Sequence, residues 1–282
     1  MQNGHDGTMI KQDVQTQTFH LRLGAQAVHV RQTGGGSGLP LLLVHGFGGS
    51  VTNWQLTQQV QATNRRVIAF DLPGHGQSSA LAQAPTLEHL AQVTRLVLEG
   101  LGVSKAHVLG HSLGGGIALS LLQSAPAQVA SLSLLAPAGL GRAVSMAFIT
   151  GFVEANTVAD MAAAMAMAVY DPKLIGRKVA EFLVEARAAP GARAALRAIA
   201  QNCFPNGEQA NDLRPALQNP PSPVQIIWGE LDRVLPAAQA QGLPTHVTRH
   251  FLPQTGHLPH IEQANMVNMM VRDFLCKCEK PL

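Results

Sequence analysis

Short apolar runs recur along the chain and alternate with longer stretches of helical periodicity. The runs predict β-strands over 19–23, 27–32, 41–44, 67–70, 107–109, 131–135, 224–228 and 248–252. The inner ones, such as Leu41-Leu-Leu-Val44 and Val224-Gln-Ile-Ile-Trp228, carry no polar face. They therefore predict strands covered on both sides. Helical periodicity marks 87–99 behind a Thr86 cap, 115–123 directly after the fifth run, and 264–276 near the end. Alternation of this kind predicts an α/β protein with a mostly parallel central sheet flanked by helices. The glycine-rich stretch Gly34 to Gly38 is expected to be the turn of an antiparallel hairpin that opens the sheet. From 138 to 219 the strand pattern lapses into helical segments rich in Ala, Met and Arg, ending at the stop signal Asn219-Pro-Pro-Ser-Pro223. The organisation expected is a flexible tail over 1–18, a core made of 19–137 and 220–282, and a helical cap inserted over 138–219.

Composition narrows the class. Of 282 residues, 46% are hydrophobic and 13% charged, with a mean hydropathy of +0.11, which suits a chain with a sizeable core rather than a disordered one. The net charge of +3 is scattered, so no nucleic-acid partner is expected. Cys203, Cys276 and Cys278 are too few and too unevenly spaced for a disulfide framework. Cys276 with Cys278, and His257 with His260, lack the further ligands a metal needs. The polar N-terminal stretch has no signal-peptide core. The most apolar segment, 161–170, is half the roughly twenty residues that span a bilayer. A cytoplasmic protein without membrane attachment is expected. Phosphate-loop, zinc-peptidase and dinucleotide motifs do not occur, and no cofactor is expected. The twelve histidines look scattered, most of them surface or loop residues.

Gly110-His-Ser112-Leu-Gly114 follows an apolar strand and precedes a helix. A serine hydroxyl is a poor nucleophile unless it is lifted clear of the backbone and bonded to a base. A sharp strand-to-helix turn does the lifting and strains the serine, and only residues without bulk two positions to either side avoid a clash. The helix N-terminus adds free amides where an oxyanion would form. A glycine-rich turn with an incidental serine is the plainer alternative. His45-Gly-Phe-Gly-Gly-Ser50 follows another buried strand; its Phe47 amide and that of Leu113 are candidates for a two-donor oxyanion hole. A tight strand-to-helix loop explains the same residues, and His45 is expected to order that loop rather than react.

A base and its partner should come from loops after later strands, on the edge where open parallel sheets bind ligands. Asp232, in Trp228-Gly-Glu-Leu-Asp232, and His257, in Gly256-His257, occupy such loops. The order Ser112, Asp232, His257 is the one this sheet arrangement requires. His257 would take the serine proton, and Asp232 would fix its tautomer and stabilise the imidazolium. Glu230 competes with Asp232 but is expected to point elsewhere in its turn, and His260 is expected to open the following helix. His75 and His111 are expected to pack or to order loops.

Together with Asp71-Leu-Pro-Gly-His-Gly-Gln-Ser78, these motifs resemble the α/β-hydrolase family over nearly all of 19–274. The resemblance implies a Ser112–His257–Asp232 triad, an oxyanion hole from the Phe47 and Leu113 amides, and a cap that shapes the acyl or alcohol pocket. Segments in and beside the cap, Pro137-Ala-Gly-Leu-Gly141, Gly151-Phe-Val-Glu-Ala155, Asp171-Pro-Lys-Leu-Ile175 and Asp212-Leu-Arg-Pro-Ala-Leu217, are similar to the hydrolase-like domain of the dihydrolipoamide acyltransferase component of acetoin dehydrogenase complexes. That component normally begins with a lipoyl domain bearing a modified lysine. Only Lys11 precedes the core here, so a freestanding relative or a piece of a longer parent is expected.

The leading expectation is a serine hydrolase acting on small carboxylic esters or thioesters through an acyl-serine. With only 4% aromatic residues, little is left for stacking large rings, and a small or aliphatic acyl group is expected. Acyl transfer to a thiol such as dihydrolipoamide or coenzyme A is the second reading, carried by the cap resemblance. A non-catalytic binding module is a third, its one support the methionine-rich stretch 161–169 as a partner surface. Carbon–carbon bond hydrolysis of a diketone-like substrate shares the fold and has no marker of its own. The expected partners are a small-molecule acyl substrate and either further copies of the chain or a multienzyme complex.

Overall fold

The computed structural model describes residues 14–80 and 85–280. Eight strands form one sheet: β1 (Thr16–Leu23), β2 (Gln26–Thr33), β3 (Gly38–Val44), β4 (Arg65–Phe70), β5 (Ala106–His111), β6 (Val129–Leu135), β7 (Val224–Gly229) and β8 (Thr248–Leu252). Their order is β1-β2-β4-β3-β5-β6-β7-β8. Both pairs involving β2 are antiparallel and all the others parallel. The first strand starts at Thr16, inside the tail expected over 1–18; the first 13 residues of that expectation lie outside those described.

One connection differs from expectation. The opening hairpin joins β1 to β2 through Gly24 and Ala25, with Leu23 opposite Gln26. So tight a loop needs positive φ, which Gly24 supplies at +63°. The glycine-rich stretch instead carries the chain from β2 to β3 with β4 lying between them.

Side chains alternate along the inner strands, and both faces are apolar. On β3 and β4, Leu42, Val44, Ile68 and Phe70 enter one core cluster, whereas Leu41, Leu43, Val67 and Ala69 enter a second. Helices α2 (Leu87–Gly100) and α3 (Leu113–Ser124) cover the first face. Helices α1 (Gln55–Gln61) and α9 (Ala264–Glu279) cover the other, the latter through Val267, Val271 and Leu275. Thr86 caps α2 as its position suggested, accepting from the His89 amide. Helix α1, Gln-Leu-Thr-Gln-Gln-Val-Gln, was not foreseen, because four glutamines in seven positions mask an apolar period.

Between β6 and β7 stand α4 (Met146–Glu154), α5 (Val158–Ala166), α6 (Arg177–Ala188) and α7 (Ala192–Cys203), with short 3₁₀ turns and no strand among the described residues. These helices, the segment expected as a cap, line one cavity with Ser112 and His257 at the rim formed by the carboxyl ends of the parallel strands. The methionine-rich stretch packs largely against the core, with Met161, Ala168 and Val169 fully buried, while Ala163 is exposed and Ala162, Ala166 and Met167 are half-buried. After β8 come a single turn, α8 (Pro259–Glu262), and then α9.

Candidate active site

Three loops converge at that rim. Ser112 is the residue between β5 and α3, with φ +54° and ψ −118°, a sparsely populated conformation that costs on the order of 1–3 kcal/mol. The turn is feasible because its flanks are glycine. A Cβ on Gly110 would lie 2.4 Å from the Gly114 carbonyl oxygen, and one on Gly114 would lie 2.1 Å from that of Val44.

The Ser112 hydroxyl lies 2.9 Å from His257 Nε2, and His257 Nδ1 lies 2.7 Å from Asp232 Oδ2. All three side chains are buried. A carboxylate only accepts, so Nδ1 carries the proton and Nε2 presents its lone pair to the hydroxyl. Asp232 is saturated with donors. Its Oδ1 accepts from the Val234 and Leu235 amides at 2.8 and 2.9 Å, and its Oδ2 also accepts from Trp228 Nε1 at 2.9 Å. The carboxylate is therefore fixed in the plane that receives the imidazole. Glu230, its neighbour in the turn, is exposed.

The loop after β3 closes the other side. Phe47 lines the same cavity as Ser112 and His257. Neither its amide nor that of Leu113, at the first position of α3, donates to an acceptor among the described residues. Two histidines hold this loop. His45 accepts from the Leu72 amide through Nε2 and donates to the Gly46 carbonyl through Nδ1, and His75 Nε2 accepts from the Gly48 amide. Accepting requires a neutral ring, and burial favours it: it lowers the pKa of His45 and pushes His75 down to about 3. Both order the loop, as the sequence suggested.

The cavity holds about 500 Å³ and runs between the rim and the cap helices. Its walls are mostly apolar; the lone Lys or Arg among them is Lys178, which is exposed. The chain is poor in aromatics, yet Phe47, Phe148, Phe152, Phe182 and Phe204, five of its nine phenylalanines, line this one space. The whole-chain average is thus a poor guide to the pocket, and the composition argument for a small acyl group fails locally.

Residues 40–264, most of the chain, match the family model described as the α/β hydrolase fold. This chain belongs to the α/β-hydrolase fold family. It is 38% identical over 255 residues to the dihydrolipoyllysine-residue acetyltransferase component of the acetoin cleaving system of Pseudomonas putida, covering 90% of this chain and 68% of that protein. The component of the same name from Cupriavidus necator is 34% identical over 241 residues, or 86% of this chain and 64% of that protein. The chain thus spans about two thirds of the length of these relatives. Among solved structures, the meta-cleavage product hydrolase CumD of Pseudomonas fluorescens IP01 superposes with a TM-score of 0.82 at 23% identity, covering 93% of this chain and 98% of that one.

Around the three side chains, this α/β-hydrolase has supports that sequence reasoning missed. The Glu262 carboxylate accepts from the amides of Gly256 and Leu258, on either side of His257, and from Tyr170 in the cap. The His257 amide itself donates to Ala168 at 2.8 Å. Arg233 reaches from the Asp232 loop to the Ala166 and Val169 carbonyls. His111 donates through Nε2 to the His257 carbonyl at 2.8 Å. Almost all of these contacts run to main chain, which leaves no trace in the identity of the partner.

The histidines also depart from expectation. Among the described residues, seven histidines are buried: His29, His45, His75, His107, His111, His257 and His260. His260 falls in α8 with its ring packed between those of Trp54 and His111, tilted 37° and 52° to them, and neither of its nitrogens has a partner among the described residues.

Proposed function

We propose that the protein is a serine hydrolase that acts on apolar carboxylic esters or thioesters through an acyl-serine. Ser112 is the nucleophile, His257 the general base and then acid, and Asp232 the group that holds the imidazole. The observation that carries this reading is the unbroken chain from Ser112 Oγ to His257 Nε2 at 2.9 Å and from Nδ1 to Asp232 at 2.7 Å. As Oγ attacks the acyl carbonyl, its proton passes to Nε2 and the imidazolium forms beside a carboxylate already bonded to it. The carbonyl oxygen takes up negative charge and is received by the Phe47 and Leu113 amides, whose freedom from internal acceptors suits that task. His257 then gives the proton to the leaving oxygen or sulfur. A second acceptor, deprotonated by the same ring, releases the acyl group.

The domain reading belongs with this chemistry: residues 138–219 act as a cap whose helices select the acyl chain over a core of 19–137 and 220–282. Water is the acceptor in the leading reading. A thiol acceptor is the second, and the 38% and 34% identities to acetyltransferase components favour it; it carries with it association in a multienzyme complex.

The test is direct. Ser112→Ala should lower turnover of p-nitrophenyl butyrate by at least about 10⁴-fold while leaving the circular dichroism spectrum intact. A fluorophosphonate probe should label Ser112 in the wild type. Wild-type turnover by the variant would refute the assignment. Adding dihydrolipoamide to the reaction separates the acceptors: a thioester product supports transfer, and unchanged hydrolysis without one removes it.

A further inference from the structure

A second cavity, of about 630 Å³, lies on the far side of α4. Met146, Val153 and Ala200 supply part of its apolar wall, and Thr150, Gln201, Asn206 and the Glu154–Arg197 ion pair supply its polar part. Two side chains belong to the linings of both cavities, Ile149 and Phe204. The helical period of α4 explains the first. Phe148 and Phe152 face the Ser112 cavity, Met146, Thr150 and Val153 face the second, and Ile149 sits on the seam. Phe204 follows the last turn of α7, and its ring meets that of Phe47 edge-on with centroids 6.2 Å apart. It therefore reaches from the loop beside Ser112 to the second cavity. Both side chains are buried, at 3% and 6% exposure.

We propose that Ile149 and Phe204 form a partition, one side chain thick, that sets the length of apolar chain the Ser112 site accepts. The partition rests on the hydrolase reading only in that the chain it measures is an acyl chain. An apolar chain entering past Phe47 ends against Phe204 and Ile149, and removing either joins the two spaces. The second cavity then receives the distal methylenes of a longer straight-chain ester or thioester. Both walls are apolar where they meet, so the added contact is hydrophobic and needs no new polar partner.

The experiment compares wild type, Phe204→Ala, Ile149→Ala and Phe204→Trp on p-nitrophenyl esters from acetate to dodecanoate. The readout is the ratio of kcat/KM for dodecanoate to that for butyrate. Either alanine variant should raise it by about tenfold or more, and the tryptophan variant should lower it. Thermal unfolding checks that each variant folds, with Phe204→Leu held in reserve should the alanine variant not. A ratio within about twofold of wild type in both alanine variants would overturn the proposal. A second measurement is independent of catalysis: calorimetric affinities of straight-chain 1-alkanols, from butanol to dodecanol, on the Ser112→Ala background. Affinity should stop rising at a shorter chain with Phe204 present than with Phe204→Ala, and coincident break points would overturn the partition. If no ester is turned over but the break point still moves, the hydrolase reading falls and the partition stands.

Discussion

Each nitrogen of His257 has one side-chain partner, and Asp232 fixes which of them carries the proton. Because Oδ2 accepts from Nδ1, the lone pair is left on Nε2 facing Ser112. Asp232→Asn would keep a carbonyl oxygen for the Val234 and Leu235 amides and would change the volume little. Its amide group would then face Nδ1, favour the tautomer protonated at Nε2 and turn a donor toward the serine. The expected result is a fall of roughly 10⁴-fold in kcat, with a loss of about 1–3 kcal/mol of stability because the same amide group also faces the Trp228 Nε1–H, read by ester turnover and by unfolding of the same sample. Activity within about tenfold of wild type would mean that the carboxylate does not set the tautomer. At this scale the sequence was informative. The convergence of Ser112, Asp232 and His257 was legible because a strained strand-to-helix turn and two strand-end loops leave local marks: glycines without bulk, apolar runs and the order of the three. Their supports were not legible. Glu262, Arg233 and His111 act on main-chain groups that any partner residue supplies, and Trp228 was visible only as the end of a strand although its indole nitrogen holds the carboxylate.

Between elements, cap and core are tied where they meet His257. Glu262 sits in a single helical turn and gathers three amides, two flanking the histidine and one from Tyr170 of the cap. These bonds span the joint between α8, the loop after β8 and the end of α5, so the carboxylate fixes the loop and the cap together. Glu262→Ala should lower kcat/KM by roughly 10–10² through displacement of the imidazole, with faster amide exchange over 253–262. Glu262→Gln, which keeps one acceptor oxygen, should fall between. A kcat/KM equal to wild type in the alanine variant would show that the loop holds itself. The same scale shows what patterning can and cannot deliver. The inner strands β3 to β7 were readable because burial on both faces makes them largely apolar, while the more exposed β1, β2 and β8 showed shorter or alternating apolar runs. Every strand but β8 extends one to three residues beyond its run, where pairing rather than hydrophobicity holds it. The hairpin was misplaced because Gly34 to Gly38 looks like any glycine-rich turn. Which strands it joins depends on the insertion of β4 between β2 and β3, a non-local choice.

For the whole molecule, the buried histidines are expected to make the fold sensitive to acid. His75 and His260 are held neutral, each with its pKa lowered to about 3 chiefly by burial. His45 and His111 are lowered by burial too, His111 well below the ordinary value, with its neighbours His260 and His257 adding to the effect. In the unfolded chain each takes up a proton near pH 6.5. Below that pH the unfolded state binds more protons than the folded one, so stability is fully present above about pH 6.5 and is lost as pH falls toward the folded-state value. Over that interval each such group steepens the fall of stability with pH, and the contributions of His75 and His260 add. His260 separates this effect from the titration of carboxylates, because its ring packs against Trp54 and His111 without hydrogen bonds of its own. His260→Phe keeps a ring in that position and removes the proton. The variant should match wild type at pH 7 to within about 1 kcal/mol and unfold at a distinctly lower pH, followed by tryptophan fluorescence from pH 7 to pH 3. An acid midpoint coincident with wild type would mean that His260 is not what makes the folded core intolerant of protons.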